Sequence, residues 1–255
     1  MTEAVGSKQT GTESGTRLAW IAGVGASAGL GAALARRFAS EGFSVAVTGR
    51  SRERLDAVVA EIRATGGHAL ALSGDVTSES DLNAIARQLA EHGTLEVAIF
   101  NAAGATRAPT LELSAEQFEA AWRVTTLGGF LFARAALQPL LAAGRGSLLF
   151  TGATASLRGR PPFAAFASAK AGLRSLAQSL AREFGPRNIH VAHVVVDGGI
   201  DGERLRSSSP QRVAERGPDG LLNPDHIADA YWHLHQQGRS AWSQEIDLRP
   251  FNESF

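Results

Sequence analysis

The stretch LAWIAGVGASAGLGAALARRFASEG spans residues 18–42 and joins three sequence patterns in a fixed order. That order indicates the fold class. Its first seven residues, LAWIAGV, form a short apolar run typical of a buried strand. GASAGLG, from Gly25 to Gly31, is a glycine-rich turn, and the amphipathic run after it predicts a helix that ends at Gly42. The stretch therefore predicts a strand, a tight turn and a helix.

The glycines of this turn suit a phosphate site. Gly25 permits the tight turn, while Gly29 and Gly31 let the backbone approach a phosphate and let the helix pack on the strand. Backbone N–H groups and the helix dipole would hold a pyrophosphate there. The spacing is Gly-x-x-x-Gly-x-Gly, and glycines also serve plain turns, but this position between strand and helix favours nucleotide binding. We predict cofactor contacts at the three glycines, Ser27 and Leu30.

The alternation of short apolar and longer amphipathic runs continues along the chain. The predicted strands are LAWIAGV, FSVAVTG, HALALSGDV, LEVAIFNAAG, GSLLFTGATAS, IHVAHVVVDG and WSQEIDLRP. Strands that are apolar on both faces and alternate with helices are typical of a covered parallel sheet. The predicted fold class is α/β, a single Rossmann-type doubly wound parallel sheet of about seven strands with helices on both faces. Such a sheet binds ligands beyond the carboxyl ends of its strands.

The domain organisation follows from composition and periodicity. Residues 1–16 are rich in Thr, Gly, Ser and Glu without apolar periodicity, which predicts a disordered N-terminal tail. Residues 17–255 are predicted to form one Rossmann-fold domain. Within it, residues 201–222 are polar and aperiodic, and a loop of this length is usually functional or disordered. We predict that this region covers the substrate.

Charge and composition exclude several classes of protein. Twenty-five basic residues balance 25 acidic ones, so nothing favours nucleic acid or an anionic membrane as a partner. The chain has no cysteine, which excludes disulfides and thiolate nucleophiles. Apolar runs are far shorter than the ~20 residues of a membrane span, and the polar N-terminus does not resemble a signal peptide. We expect a small-molecule substrate and a cytoplasmic location.

Metal binding is not expected either. His226, Asp229 and His233 share one face of the last predicted helix, at spacings that could hold a metal ion. No motif supplies a fourth ligand, and histidine and aspartate are common on exposed helices. We therefore predict no metal site.

The motifs along the chain resemble those of the short-chain dehydrogenase/reductase superfamily, from Arg17 to about Ile200 and more loosely beyond. The matches are Gly25, Gly29 and Gly31 for its glycine pattern, Asp75 and Val76 for the acidic pair that contacts adenine, Asn101, Ala102, Ala103 and Gly104 for its Asn-Asn-Ala-Gly, Lys170 for its catalytic-helix lysine, and Asp197, Gly198, Gly199 and Ile200 for its Pro-Gly-x-Ile. The resemblance implies a nicotinamide cofactor bound by these residues. It also implies a homo-oligomer, a dimer or tetramer.

The end of the second predicted strand bears on the choice of cofactor. An NAD-specific sheet usually has an acid here to bind the adenosine ribose. By the resemblance, Gly49 holds that position and Arg50 follows it. A guanidinium group pairs well with the 2′-phosphate of NADP, although Arg50, Arg52 and Arg54 could also form a solvated helix start. We predict NADP(H) as the preferred cofactor, with NAD(H) as the second option.

The catalytic set of the family is only partly present. In the family a tyrosine donates the proton, a serine holds the substrate oxygen, an asparagine supports a water relay, and a lysine binds the nicotinamide ribose. The resemblance places Phe166 at the tyrosine, Ala153 at the serine, Thr125 at the asparagine and Lys170 at the lysine. Phe163 stands where some enoyl reductases of the superfamily have their tyrosine. We predict that Lys170 binds ribose, instead of merely extending from its helix into solvent, and that Ala153, Phe163 and Phe166 line the substrate pocket.

A proton for hydride transfer must then come from another group. Candidates at the carboxyl end of the predicted sheet are Thr154, Ser156, Asp197 and His193. Asp197 replaces the proline of the family and could act as an acid in apolar surroundings, or it could bond its own turn before two glycines. His193 alternates with valines along a strand, which favours a core position. Tyr231, on the last helix, is expected to pack.

The sequence favours an NADP(H)-dependent oxidoreductase of the short-chain dehydrogenase/reductase type. It would act by hydride transfer on a small carbonyl compound, an alcohol or an activated alkene, with a non-standard proton donor. The alternative is a catalytically silent protein on the same fold, which senses NADP(H) or serves in an assembly. Both hypotheses explain why three catalytic side chains of the family are missing while the predicted cofactor-binding motifs are present.

Overall fold

The computed structural model describes residues 15–104 and 106–253, so residues 1–14 of the tail predicted over residues 1–16 lie outside the described residues. The strands are β1 (Arg17–Ala22), β2 (Ser44–Gly49), β3 (His68–Ser73), β4 (Thr94–Phe100), β5 (Gly146–Thr151), β6 (Ile189–Val196) and β7 (Glu245–Leu248). The α-helices are α1 (Leu30–Ser40), α2 (Arg52–Ala64), α3 (Glu79–Ala90), α4 (Ala115–Trp122), α5 (Gly128–Ala142), α6 (Ala164–Phe184), α7 (Glu203–Ser208), α8 (Pro210–Arg216) and α9 (Pro224–Gln236).

The strands form one parallel sheet in the order β3-β2-β1-β4-β5-β6-β7. In its centre, Ile21 of β1 is in register with Val47 of β2 on one side and with Ile99 of β4 on the other. The strand order reverses between β1 and β4, and a doubly wound sheet binds its ligand at such a reversal. The predicted fold class, a seven-stranded Rossmann-type sheet, is confirmed.

Two apolar layers cover the sheet and fix the strand ends. Helices α1, α2 and α9 bury side chains such as Phe38 and Tyr231 on one face, and α3, α5 and α6 bury Phe132 on the other. The ring centroids of Phe132 and Trp20 of β1 are 4.5 Å apart. Full burial of one large apolar side chain stabilises a fold by about 2 kcal/mol, so these layers hold the residues at the strand ends in place.

The longest apolar helical run lies inside the second layer. α4, a π-helical turn at Arg123–Leu127 and α5 together span Ala115–Ala142, which is long and apolar enough to cross a membrane by length and composition alone. In its most apolar window 56% is buried inside the fold, so we interpret it as a core helix. α4 begins after Ser114, which forms a capping box with Gln117.

Two segments differ from the sequence-based expectation. Thr16, predicted to belong to the disordered tail, accepts a hydrogen bond from the Thr94 N–H at 2.9 Å. Residues 201–222, predicted as an aperiodic loop, contain α7 and α8. Neither helix buries a residue, so neither has the apolar stripe by which a helix is recognised in sequence. The last helix, α9, begins after Asn223, whose side chain accepts a hydrogen bond from the Asp225 N–H.

Candidate active site at the carboxyl edge of the sheet

The glycine-rich turn joins β1 to α1 as predicted. Gly29 is the N-cap residue of α1 and no side chain caps the helix, so the N–H groups of Leu30 and Gly31 have no intrahelical acceptor. A Cβ added at Gly31 would lie 2.9 Å from the Gly23 carbonyl oxygen, so glycine is needed for this close packing. A Cβ added at Gly25 would meet no atom within 4 Å. The turn therefore has both the amides and the open space that a phosphate needs.

Ser27 connects this turn to α1 and α2 through hydrogen bonds. Its hydroxyl donates to Glu61 Oε1 at 2.5 Å, and its carbonyl oxygen accepts a hydrogen bond from Arg36 Nη1 at 3.0 Å. Arg36 and Glu61 are themselves an ion pair at 3.2 Å. Ser27 is thus positioned within the turn, and its contact with a cofactor stays a prediction.

The NAAG segment after β4 packs against the end of β1. Asn101 Nδ2 donates to the Gly23 carbonyl oxygen at 3.1 Å. Gly23 has φ +88°, and a Cβ there would clash with the Ala102 nitrogen, so this approach requires glycine. The Gly104 N–H donates to Thr125 Oγ1 at 3.1 Å, and Thr125 is fully buried. The structure brings the segment beside the glycine turn and uses the Thr125 hydroxyl to hold it; a part for Thr125 in catalysis stays a prediction.

The end of β2 has no room for a side chain at position 49. A Cβ added at Gly49 would clash with the Val24 carbonyl oxygen. Arg50, the next residue, is exposed and joins none of the ion pairs among the described residues. An acid at position 49 would therefore disturb the turn, while the guanidinium group of Arg50 is accessible to a ligand.

Asp75 and Val76 are held firmly after β3. Asp75 Oδ1 accepts hydrogen bonds from the N–H and the hydroxyl of Thr77, both at 2.8 Å. The Asp75 N–H donates to Asp81 at 3.0 Å, and this hydrogen bond lowers the pKa of the Asp81 carboxyl. Val76 is buried, and a Cβ added at Gly128 would lie 3.1 Å from its Cγ2. The pair lies at the predicted edge, and its contact with adenine stays a prediction.

Lys170 lies on α6 with its amine at the end of β5. The residue is 3% exposed, and Nζ donates to the Thr151 carbonyl oxygen at 2.6 Å. Nζ lies 5.9 Å from the centroid of the Phe166 ring, one turn earlier on the helix. Burial lowers the pKa of Lys170 from 10.5 to about 7, because little water is present to stabilise the charged amine. Near neutral pH this amine can both hold and release a proton.

The three residues predicted to line a substrate pocket lie between the end of β5 and the first turn of α6. Ala153 precedes a 3-10 turn, Thr154–Ser156, which packs on α6. Phe163 is the N-cap residue of α6, and Phe166 lies in its first turn. All three are partly exposed, and the guanidinium carbon of Arg107 lies 5.6 Å from the centroid of the Phe163 ring. They form an apolar edge beside the carboxyl end of β5.

Asp197, directly after β6, joins the ends of three strands. Its side chain is 1% exposed, and Thr154 Oγ1 donates to its Oδ1 at 2.6 Å. Arg158 Nη2 lies 3.4 Å from both carboxylate oxygens, and Arg249 Nη2 lies 3.7 Å from Oδ2. The carboxylate thus accepts hydrogen bonds from other loops. A proton-donating role for Asp197 or Thr154 stays a prediction.

The segment after Asp197 leads back to the glycine turn. Gly198 and Gly199 are followed by Ile200, which forms a single parallel bridge with Leu222. A Cβ added at Gly202 would lie 2.8 Å from the Ala28 carbonyl oxygen in the glycine turn. The predicted substrate-loop region therefore begins against the predicted cofactor site.

A buried network of hydrogen bonds below Ala153, which links Ser156, His193, Glu245 and Arg174, is not apparent from the sequence. Ser156 Oγ accepts a hydrogen bond from the Ala153 N–H at 3.1 Å and lies 3.4 Å from His193 Nε2. His193 Nδ1 lies 2.9 Å from Glu245 Oε2, and Arg174 binds both Glu245 oxygens at 2.7 and 2.8 Å. His193 is fully buried, as predicted, and burial lowers its pKa to about 4. Of these contacts, the sequence indicated only the buried position of His193, from its alternation with valines along the strand.

Tyr231 packs in the core, as predicted. It is fully buried, and its hydroxyl lies 2.7 Å from Thr151 Oγ1. Burial raises the pKa of Tyr231 above its usual value. Thr151, which no motif indicated, thus contacts Lys170 through its carbonyl oxygen and Tyr231 through its hydroxyl.

The described part of the chain shows no group of three His, Asp or Glu side chains that could hold a metal ion. On the face of α9 whose spacing could hold a metal ion, Asp229 pairs with Arg37 Nη1 at 2.6 Å. His226 and His233 are exposed on the same helix. The face is therefore an ordinary solvated surface with one ion pair.

Comparison with known proteins agrees with this geometry. The sequence profile described as short chain dehydrogenase matches residues 19–213. The chain is 34% identical over 199 residues to oxidoreductase asL5 of Sarocladium schorii, covering 76% of this chain and 78% of that protein. The crystal structure of a short-chain dehydrogenase from Rhodopseudomonas palustris is 40% identical with a TM-score of 0.77, covering 92% of this chain and 99% of that one.

A further solved structure bears on the cofactor. It is a metagenomic short-chain oxidoreductase in complex with NADP, 28% identical with a TM-score of 0.77, covering 92% of this chain and 97% of that one. The family profile spans far more than half of this chain, from β1 to α8. The protein therefore belongs to the short-chain dehydrogenase family.

Proposed function

We propose that the protein is an NADP(H)-dependent oxidoreductase that acts on a small carbonyl compound, an alcohol or an activated alkene. Family membership makes it an oxidoreductase of the short-chain dehydrogenase type. The observation that carries the finer proposal is one shared edge: the uncapped glycine turn, the NAAG segment and the Lys170 amine all lie at the carboxyl ends of β1, β4 and β5. This is where a doubly wound sheet places cofactor and substrate together.

The residues at this edge fit a nicotinamide dinucleotide. The N–H groups of Leu30 and Gly31 would hold the pyrophosphate, and Asp75 with Val76 would contact the adenine. Lys170 would bind the nicotinamide ribose through N–H donors that Thr151 does not use. A bound reduced nicotinamide supplies the hydride. Phe163 and Phe166 would exclude water from the reacting carbon.

The test of this function is turnover. With NADPH, a panel of small aldehydes, ketones and enones should contain substrates that oxidise NADPH, measured by the loss of its absorbance. The signal should depend on both the protein and the carbonyl compound. Tight NADPH binding without turnover across such a panel would contradict the proposal.

Cofactor preference is tested at Arg50. Replacing Arg50 with serine should weaken NADPH binding about 10- to 100-fold and change NADH binding little, because only NADPH has the 2′-phosphate that a guanidinium group pairs with. Calorimetric titration with both cofactors measures this difference. Arg52→Ser is the matched control, since Arg52 pairs with Asp56 at 2.9 Å on the same exposed surface. Tighter binding of NADH than of NADPH by the unmodified protein would refute the preference.

A second candidate function is a catalytically silent NADP(H)-binding protein. The observation that favours it is that Phe163 and Phe166, which we predict to line the pocket, have no dissociable proton. It predicts that Phe166→Tyr combined with Ala153→Ser gains no turnover. Robust turnover by the unmodified protein would end this alternative.

A homo-oligomer, either a dimer or a tetramer, is part of the same proposal. Three aromatic side chains on α4 and α5 support it because they are exposed: Phe118 at 39%, Trp122 at 40% and Phe130 at 41%. Exposed aromatic side chains on neighbouring helices are typical of contact surfaces. A cytoplasmic location and a small-molecule substrate complete the proposal.

A further inference from the structure

We propose that Nζ of Lys170 is itself the proton donor to the substrate oxygen. This inference rests on the proposed function, because it assigns the proton that carbonyl reduction consumes. In the balanced step the carbonyl carbon gains the hydride of a reduced nicotinamide, the π electrons move onto the oxygen, and Nζ passes one proton to that oxygen. Lys170 is left as a neutral amine and regains a proton from water.

The position of Nζ suits this role. Its hydrogen bond to the Thr151 carbonyl oxygen, at 2.6 Å, fixes it at the carboxyl end of β5, two residues before Ala153. An ammonium group has three N–H donors, and among the described residues Thr151 accepts the only hydrogen bond from Nζ. The remaining donors are available to a ribose hydroxyl and to a substrate oxygen. A general acid needs this kind of hydrogen-bond reach.

The charges around Lys170 leave it without a counterion. In the described part of the chain no carboxylate lies within ion-pairing distance of Nζ. From α6, Arg174 faces the same region but is neutralised by Glu245 of β7 at 2.7 Å. From β6, His193 is uncharged at neutral pH because burial lowers its pKa to about 4, and from α9 Tyr231 is uncharged because burial raises its pKa. A buried amine in such surroundings releases its proton readily.

The use of lysine in this chain is selective. Lys8 and Lys170 are its only lysines, and the other 23 basic residues are arginines. Arginine does not lose its proton in proteins, whereas a lysine amine titrates when it is buried. Within the described residues every cation except Lys170 is an arginine or a histidine. Lys170 thus places a titratable amine at a buried position beside the predicted site.

The other proton-bearing groups at this edge are engaged elsewhere. Thr154 donates to Asp197, whose carboxylate also pairs with Arg158. Ser156 and His193 contact each other and lie in the buried network that includes Glu245. Lys170 is the group at the end of β5 that retains donors for a ligand.

The titration of Lys170 can be observed directly by NMR on the 255-residue chain labelled with ¹³C-lysine. With two lysines, the spectrum should contain two ε-carbon signals. We expect one signal to titrate near pH 10.5, the usual value for lysine, and the Lys170 signal to titrate at about pH 7. Lys8→Arg removes the Lys8 signal and so assigns the remaining signal to Lys170. Titration of both lysines above about pH 9.5 would overturn the proposal.

A second readout connects this titration to the reaction. Measured again in the NADPH complex, the Lys170 midpoint should agree within about one pH unit with the pH above which kcat for reduction falls. A kcat that stays constant through the Lys170 midpoint overturns the proton-donor role and leaves the oxidoreductase function intact. Absence of turnover at any pH overturns both. The two failures are therefore distinguishable.

Discussion

Replacing Lys170 with either methionine or arginine should lower kcat for carbonyl reduction by about 100- to 10,000-fold, the usual effect of losing a general acid. Methionine removes the amine, while arginine keeps a positive charge and N–H donors but does not release a proton. If Lys170 only binds ribose, arginine should retain most of kcat and methionine should mainly weaken NADPH binding. Steady-state kcat at saturating NADPH, with NADPH affinity from fluorescence titration, separates these outcomes.

Folding of the variants must be checked because Lys170 is 3% exposed. Circular dichroism and thermal unfolding show whether each variant retains the native fold. Arg182→Met is the matched control, since Arg182 is an exposed cation near the end of the same helix, α6. It should leave kcat unchanged. A folded Lys170→Arg variant with kcat within tenfold of the unmodified protein would contradict the proton-donor role.

The protein should lose stability steeply as the pH falls from about 6.5 to 4. His193 and His235 are buried, and burial lowers the pKa of each from 6.5 to about 4. Between these values the unfolded chain binds protons that the folded protein does not, so the free energy of unfolding decreases as the pH falls. Each histidine contributes up to about 3 kcal/mol to this loss, which is a large part of the stability of a typical domain.

The neighbours of both histidines support a free energy of unfolding that decreases as the pH falls. His235 Nδ1 lies 2.9 Å from Ser147 Oγ; the nearby Glu96 favours the charged ring, but burial outweighs it and keeps the pKa low. His193 faces Glu245, whose own pKa is lowered mainly by its hydrogen bond from Arg174. A carboxyl group with a lowered pKa also loses its stabilising effect as the pH falls. All these groups act in the same direction.

Urea unfolding followed by tryptophan fluorescence from pH 8 to 4.5 measures this dependence. In His193→Gln and His235→Asn the free energy of unfolding should vary less with pH than in the unmodified protein. His92→Gln is the control, because His92 is exposed and should leave the slope unchanged. A free energy of unfolding that is constant from pH 6.5 to 4.5 would contradict the prediction.

The order of the elements could be predicted because the central strands are buried on both faces and therefore read as continuous apolar runs. β6 is buried along its whole length, Ile189–Val196, and IHVAHVVVDG predicted it directly. The helix starts at Ser114 and Asn223 had capping side chains as signals. α7 and α8 had no such signal, since neither helix buries a residue.

The predicted site residues meet at one edge because parallel strands end together, as the contact between Asn101 and Gly23 illustrates. What the sequence could not provide is which side chains bond across that edge. Thr151 and Tyr231 are 80 residues apart, and His193 and Glu245 are 52 apart. Such pairings depend on the register and packing of distant elements, which local patterns do not encode.

Transfer of deuterium from NADPH labelled at nicotinamide C4 tests hydride transfer by this protein most directly. The protein is incubated with each labelled epimer of NADPH and the panel of carbonyl compounds, and the products are analysed by mass spectrometry. We predict that one epimer yields an alcohol or saturated product carrying deuterium at the former electrophilic carbon. Tight binding of NADPH with no deuterium in any product would contradict the assignment of this protein as an active oxidoreductase.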